Sequence, residues 1–273
     1  MHIMKRGFGN FSSHALITGA ASGMGRIYAH ELARMGYNLI LIDINEKGLV
    51  ETEGSVREEV PSADILTIVQ DLSDIAAADR IFAVTEAAGC KVEVLVNNAG
   101  IMYCQGIAET SELMLTKIMM VHTYTPLMLC RKYVGGMKNR GKGYILNVSS
   151  LAAWMMWPGI GMYGCTKRFV KDFSRELRIE CQKTGVSVTN TYFGAVDTPL
   201  VPINDRCRKF ARAVGVMISS EKAVSRALSA TFKGRRGTMP GFMNKLFWPM
   251  IVIMPDALLG WIYRKAKPYL MKV

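Results

Sequence analysis

Tyr163 and Lys167 stand four residues apart in Tyr163-Gly164-Cys165-Thr166-Lys167, and Ser150 precedes the tyrosine by thirteen. Residues at i and i+4 share one face of a helix, which places the ammonium of Lys167 beside the phenol of Tyr163. A free phenol, with a pKa of ~10, is a poor base at neutral pH. A neighbouring cation favours the phenolate, and a drop of about three units needs roughly 4 kcal/mol of differential stabilisation. Ser150 closes the strand-like run Tyr144-Ile145-Leu146-Asn147-Val148-Ser149-Ser150. Its hydroxyl is therefore expected at the carboxyl end of a strand, where open α/β sheets bind their ligands. Together the three groups are suited to moving a proton to or from a carbinol oxygen. Tyr-x-x-x-Lys alone is weak evidence, because a solvated helix face can carry the same pair by chance.

The elements that must position this trio precede it in the chain. Thr18-Gly19-Ala20-Ala21-Ser22-Gly23-Met24-Gly25 follows the apolar run Ala15-Leu16-Ile17 and opens a segment with Met24, Tyr28, Leu32 and Met35 at helical spacing. Strand, glycine turn and helix form a phosphate-binding context: the glycines allow close backbone approach, and the helix N-terminus offers free N–H groups to pyrophosphate. The plainer alternative is an ordinary glycine turn. Tyr37-Asn38-Leu39-Ile40-Leu41-Ile42-Asp43 then predicts a second strand ending in a carboxylate eighteen residues after Gly25. An acid there accepts hydrogen bonds from an adenosine ribose and repels a 2′-phosphate, so NAD is expected rather than NADP. Ser22 and Ile44 bring no cation to reverse that preference, and Arg26 is expected to point along its own helix. A turn or cap role is the plainer reading of Asp43. Asp71, followed by Leu72, closes Ile65-Leu66-Thr67-Ile68-Val69-Gln70-Asp71 in the same way. Val92-Glu93-Val94-Leu95-Val96-Asn97-Asn98-Ala99-Gly100 is a fourth strand running into a polar turn. Asn98 can satisfy backbone groups there, and Ala99-Gly100 lets a flat ring approach the main chain.

With these motifs in order, the chain resembles the short-chain dehydrogenase/reductase family, in particular its hydroxysteroid dehydrogenase-like members. The resemblance covers roughly residues 12–235 and rests on Thr-Gly-x-x-x-Gly-x-Gly, Asn-Asn-Ala-Gly, the serine and Tyr-x-x-x-Lys. It implies a single Rossmann-type domain, a doubly wound parallel sheet of about seven strands flanked by helices. It also implies that Ser150 orients substrate, that Tyr163 is the general acid/base, and that Lys167 binds the nicotinamide ribose and lowers the tyrosine's pKa. Gly19, Ser22, Gly23, Met24, Gly25, Asp43, Asp71, Leu72, Asn98, Ala99 and Gly100 become cofactor residues. Val196 and Thr198 of Gly194-Ala195-Val196-Asp197-Thr198-Pro199 are expected to touch the carboxamide. A homodimer or homotetramer is expected. Two departures stand out. The usual Val-Asn before the serine strand reads Val121-His122, so His122 either supports a relay water, through a ring nitrogen or its backbone carbonyl, or is a packing residue. The usual Pro-Gly after the sixth strand reads Phe193-Gly194, which brings an aromatic wall toward the cofactor. A non-catalytic dinucleotide sensor or scaffold is the alternative of another class, with His122 its best support.

At 273 residues, half of them hydrophobic, the chain is long enough for one large domain with a buried parallel sheet. Domain limits are expected at 1–240 for the catalytic unit and 241–273 for a helical extension. Six cysteines at 90, 104, 130, 165, 181 and 207 show no metal spacing and predict reduced thiols in a cytoplasmic protein. The N-terminus shows no apolar h-region, which argues against secretion. The net charge of +12 is spread along the chain, and no nucleic-acid module is present. The denser Arg206-Cys207-Arg208-Lys209-Phe210-Ala211-Arg212 is a solvated helix face or a cationic rim for an acidic substrate tail or an anionic surface. Between Ser150 and Tyr163 lies a loop rich in methionine and tryptophan, including Trp154 and Trp157, which favours a bulky apolar alcohol or ketone over a sugar. A hydroxysteroid or bile acid is the leading reading and a long-chain 3-oxoacyl thioester its rival. The tail from Phe242 to Tyr263 suits a lid, a subunit contact, a peripheral membrane contact or plain core packing.

Overall fold

The computed structural model describes residues 10–103, 105–154, 160, 162–197, 217–240, 249 and 252–270, with only the backbone of 266–270. Its centre is a seven-stranded, all-parallel sheet in the order β3-β2-β1-β4-β5-β6-β9. The strands are β1 His14–Thr18, β2 Asn38–Asp43, β3 Ile65–Val69, β4 Val92–Asn97, β5 Gly143–Ser150, β6 Val186–Phe193 and β9 Gly237–Thr238. A separate short parallel pair joins β7 Ala195–Val196 to β8 Met217–Ile218. Leu39 to Ile42 are all fully buried, as expected for parallel strands covered on both faces.

Alternation along the strands divides the core in two. Ala15, Ile17, Leu39, Leu41, Val94, Val96, Leu146 and Val148 pack on one side with Tyr28 and Leu32 of helix α1 (Gly23–Arg34) and Leu49 and Val56 of α2 (Glu46–Glu59). Leu16, Ile40, Ile42, Leu95, Ile145 and Val188 face the other side. There they meet Ile81 of α3 (Ala77–Ala87), Leu129 and Met137 of α5 (Thr125–Asn139) and Leu177 of α6 (Tyr163–Glu180). Between α4 (Glu112–Met119) and α5 the helix widens into a π-turn at Met120–Tyr124. Helix α7 (Ser220–Phe232) returns to the first face through Ala223, Val224, Ala227 and Leu228.

The strand order reverses between β1 and β4, the point where an open α/β sheet splays its loops and opens a crevice. The extension supplies α8 (Asp256–Leu270), which buries Leu259 and leaves Leu258 and Trp261 exposed. A Cβ built on Gly106 would lie 3.5 Å from the Tyr263 hydroxyl, so α8 runs close to the loop after β4. Trp157, Thr198, Arg206, Arg208, Arg212 and Phe242, on which sequence expectations fall, lie outside the described residues.

Candidate active site

A cleft of about 430 Å³ opens at the strand-order reversal. Gly19, Ser22, Gly23 and Met24 form one wall, Asp43 and Ile44 the next, and Asp71 and Leu72 the floor beyond. Asn98, Ala99 and Gly100 close the opposite side. Every one of these except Ile44 is a cofactor residue by sequence, and Gly25 lies buried just beneath them.

At two places in the glycine loop a side chain would collide with backbone. Gly19 has φ +69°, a left-handed conformation, and a Cβ there would lie 2.9 Å from the Ala99 Cα. A Cβ on Gly25 would fall 1.8 Å from the Gly19 carbonyl oxygen. The loop is thus held open against the first turn of α1, whose unsatisfied N–H groups face the cleft. Thr18 fastens it to the opposite wall: its hydroxyl accepts from the N–H of Asn98 at 3.0 Å and of Ala99 at 3.1 Å. The Asn98 amide donates back to the Thr18 carbonyl at 2.9 Å, the backbone-satisfying role expected of it.

Asp43 accepts from the N–H of Ala21 and of Asn45, both at 3.0 Å, so its carboxylate is fixed at the ribose end of the cleft. Arg26 departs from expectation. It reaches across to α2, donating to Thr52 Oγ1 at 3.0 Å and to the Ala21 carbonyl at 2.8 Å and pairing with Glu51. Those partners hold its guanidinium on α2. For Asp71, burial alone would raise the carboxyl pKa, but the Ser73 N–H and hydroxyl and the Lys117 charge hold it below its ordinary value. Lys117 and Gln70 also line the cleft and were missed in the sequence, where an isolated polar residue gives no sign of which way it faces.

The proton-moving trio assembles behind the Gly100 wall of the cleft, where a Cβ on Gly100 would lie 3.6 Å from the Lys167 ammonium. Ser150 ends β5, donates to the Phe193 carbonyl at 3.3 Å and accepts from the Ala152 N–H at 3.2 Å. Tyr163 opens α6 and Lys167 lies one turn on, its ammonium 5.7 Å from the centre of the tyrosine ring. The ammonium donates to the Val148 carbonyl at 3.0 Å. Burial lowers the Lys167 pKa to about 8. For Tyr163 burial dominates and pushes the phenol above its ordinary value, while the Ser150 hydroxyl pulls it down. The expected depression by Lys167 is therefore not a property of the folded chain by itself. The phenol is held in its protonated form, ready to donate.

One aromatic expectation is corrected. Phe193 is 3% exposed and packs in the α1-side core rather than walling the cleft. Val186 and Val188 face α6, and Phe193, an odd number of residues further on, must face the other way. The aromatic that β6 presents beside Trp154 is Tyr192, whose ring meets it edge-on at 5.4 Å. Lys171 covers Trp154 with its ammonium 4.4 Å from the ring centre, so protein groups occupy much of that indole. Val196 is buried in β7 against the same core as Phe193.

His122 is fully enclosed in the π-turn. Its Nε2 accepts from the Ile101 N–H at 2.9 Å, and its Nδ1 pairs with Thr166 Oγ1 at 2.9 Å. With both ring nitrogens engaged, the ring has no lone pair left for a relay water.

A family model described as short chain dehydrogenase matches residues 13–206. The chain belongs to the short-chain dehydrogenase family. A very-long-chain 3-oxoacyl-CoA reductase-like protein of Arabidopsis thaliana is 30% identical over 91% of this chain and 79% of its own length. A diacetyl reductase of Staphylococcus epidermidis is 34% identical over 66% of this chain and 70% of its own length. A solved 7beta-hydroxysteroid dehydrogenase, 23% identical, superposes with a TM-score of 0.82 over 93% of this chain and 97% of its own and shares the fold. This short-chain dehydrogenase is accordingly an oxidoreductase of alcohols and ketones, and its family uses a nicotinamide dinucleotide. The glycine cradle, where an added Cβ would collide with backbone, fits such a cofactor.

Proposed function

We propose that this short-chain dehydrogenase interconverts a secondary alcohol and a ketone on a bulky apolar substrate, with NAD(H) as cofactor and Tyr163 as general acid/base. What carries the reading is the meeting of the Ser150 hydroxyl, the Tyr163 phenol and the Lys167 ammonium, which flanks Gly100 in the wall of a cleft that also holds the glycine cradle. When bound, the dinucleotide supplies or accepts the hydride. The Ser150 hydroxyl orients the carbonyl oxygen, and the protonated Tyr163 donates to that oxygen as negative charge develops on it. Lys167, cationic at neutral pH, holds the nicotinamide ribose. Met24, Gly23, Ser22 and Gly19 take the pyrophosphate, Asp43 the adenosine ribose, and Asp71 with Leu72 the adenine side.

Asp43 supports NAD over NADP, since a fixed carboxylate repels a 2′-phosphate and Arg26 is held on α2. Asp43→Ala is expected to weaken NAD(H) binding and to raise kcat/KM with NADP(H). An unaltered protein that already favours NADP(H) in kcat/KM would contradict this assignment.

For the substrate, the activity for which the Arabidopsis thaliana relative is named favours a 3-oxoacyl thioester over the hydroxysteroid or bile acid that the tryptophan-rich loop also suits. Residues 1–240 act as the catalytic unit of a homodimer or homotetramer, and the extension 241–273 covers the substrate mouth through α8. The nearness of Tyr263 to Gly106 supports that placement. The exposed Leu258 and Trp261, beside Arg264 and Lys265, also suit a membrane surface. Measuring kcat/KM across ketones of increasing size, with the full chain and with one ending before Phe242, tests these assignments. The expected result is a preference for long acyl thioesters that shortening weakens through KM, at unchanged NAD(H) affinity. A preference for small ketones in the full chain would overturn the apolar-substrate reading. Unaltered kinetics with lost liposome binding would assign the tail to a membrane.

A further inference from the structure

We propose that His122 is a positioning residue, a neutral imidazole strut that ties the loop after β4 to the catalytic helix and so fixes Tyr163 relative to the cofactor wall. The inference rests on the reading of Tyr163 as acid/base and concerns what holds that tyrosine in place.

The hydrogen bonds around His122 fix its proton. The Ile101 N–H is only a donor, so Nε2, 2.9 Å away, must present its lone pair. In the neutral ring Nδ1 then carries the hydrogen and donates to Thr166 Oγ1 at 2.9 Å. The Thr166 hydroxyl passes its own hydrogen to the Tyr163 carbonyl at 2.8 Å. The chain runs one way, from Ile101 N–H to ring, ring to threonine, and threonine to the first residue of α6, with one partner for each ring nitrogen. The imidazole also meets the Tyr163 ring edge-on at 5.6 Å. A Cβ on Gly100 would lie 3.1 Å from its Nε2 and 3.6 Å from the Lys167 ammonium, so imidazole and ammonium flank the same cofactor-side glycine. Enclosure and the facing Lys167 charge both keep the ring unprotonated. A second proton at Nε2 would point at the Ile101 N–H and break the strut.

The π-turn is what brings the residue into place. The wide turn at Met120–Tyr124 pushes His122 out of the regular ladder and toward α6. An asparagine on the same Cα carries its polar atoms on a shorter stem and cannot span from Ile101 to Thr166. His122→Asn is therefore expected to be damaging rather than silent.

The test combines kinetics with a spectroscopic reading that needs no turnover. His122→Phe, His122→Asn and Thr166→Val are each expected to lower kcat by about tenfold or more, since small misplacement of reacting groups is costly. KM and NADH affinity should move less than about threefold. Because one strut is broken in each case, the double variant His122→Phe/Thr166→Val should be no slower than either single variant, a non-additivity diagnostic of coupled residues. Nitrogen-15 NMR of the unaltered protein should show a proton on Nδ1, none on Nε2, and no titration where an ordinary imidazole takes up its second proton. A ring that titrates ordinarily, or that carries its proton on Nε2, overturns the proposal whether or not a substrate is known. So do additive kinetic losses, or full kcat in His122→Asn. If no ketone is ever turned over, the acid/base reading fails while the NMR still decides the strut.

Discussion

Replacing Tyr163 with phenylalanine is expected to lower turnover at least about a hundredfold, the lower range for a positioned acid or base. The substitution removes one oxygen from a ring whose edges are fixed by His122 and whose face lies near the Lys167 ammonium. The ring, α6 and the Val148 contact of Lys167 should all survive, so NAD(H) affinity should stay within about threefold. Turnover of steady-state ketone reduction and a separate titration with NADH check the two halves. Near-normal turnover in Tyr163→Phe would move the proton transfer to another group.

Gly25→Ala is expected to be nearly as damaging by a different route. The added methyl would fall 1.8 Å from the Gly19 carbonyl oxygen and 2.6 Å from its carbon. Both atoms are backbone, so no side chain can rotate away and the loop itself must move. Overpacking of this kind costs roughly 1–3 kcal/mol. That corresponds to a loss of NAD(H) affinity of about fivefold to a hundredfold if the loop yields, since each 1.4 kcal/mol is about a factor of ten. If instead α1 yields, the thermal midpoint falls by several degrees, about 2–4 °C per kcal/mol for a chain of this size. Unchanged affinity and unchanged melting together would mean the cradle is more plastic than its geometry.

What was legible in the sequence follows from which signals are local. The strands β1, β2, β4 and β5 are apolar runs because both of their faces are covered, and the runs of β1, β2 and β4 end where their loops enter the cleft. Glycine spacing and Tyr-x-x-x-Lys are equally local, so the cradle and the trio were readable before any fold was known. The failures are all tertiary. Phe193 was given to the cleft because its position follows a loop motif, yet the strand's period of two sends it to the opposite core. His122 was left between relay and packing because nothing in the sequence places Ile101 and Thr166 on its two nitrogens. The Tyr163 phenol was expected to be drawn down by its lysine. Enclosure, which a sequence does not display, raises it in the folded chain, and the opposing pull comes from the Ser150 hydroxyl.

That last balance makes the pH dependence of alcohol oxidation the most direct measurement of whether Tyr163 moves the proton. Oxidation needs the phenolate, and a phenol raised by burial loses its proton only on the alkaline side. For the unaltered enzyme, kcat/KM for oxidation should therefore climb with pH above neutrality, and ketone reduction, which uses the protonated phenol, should not share that climb. The residual activity of Tyr163→Phe should lack the climb altogether. An oxidation rate that is flat with pH in the unaltered enzyme, or a climb that survives in Tyr163→Phe, would contradict the assignment of Tyr163 as the acid/base.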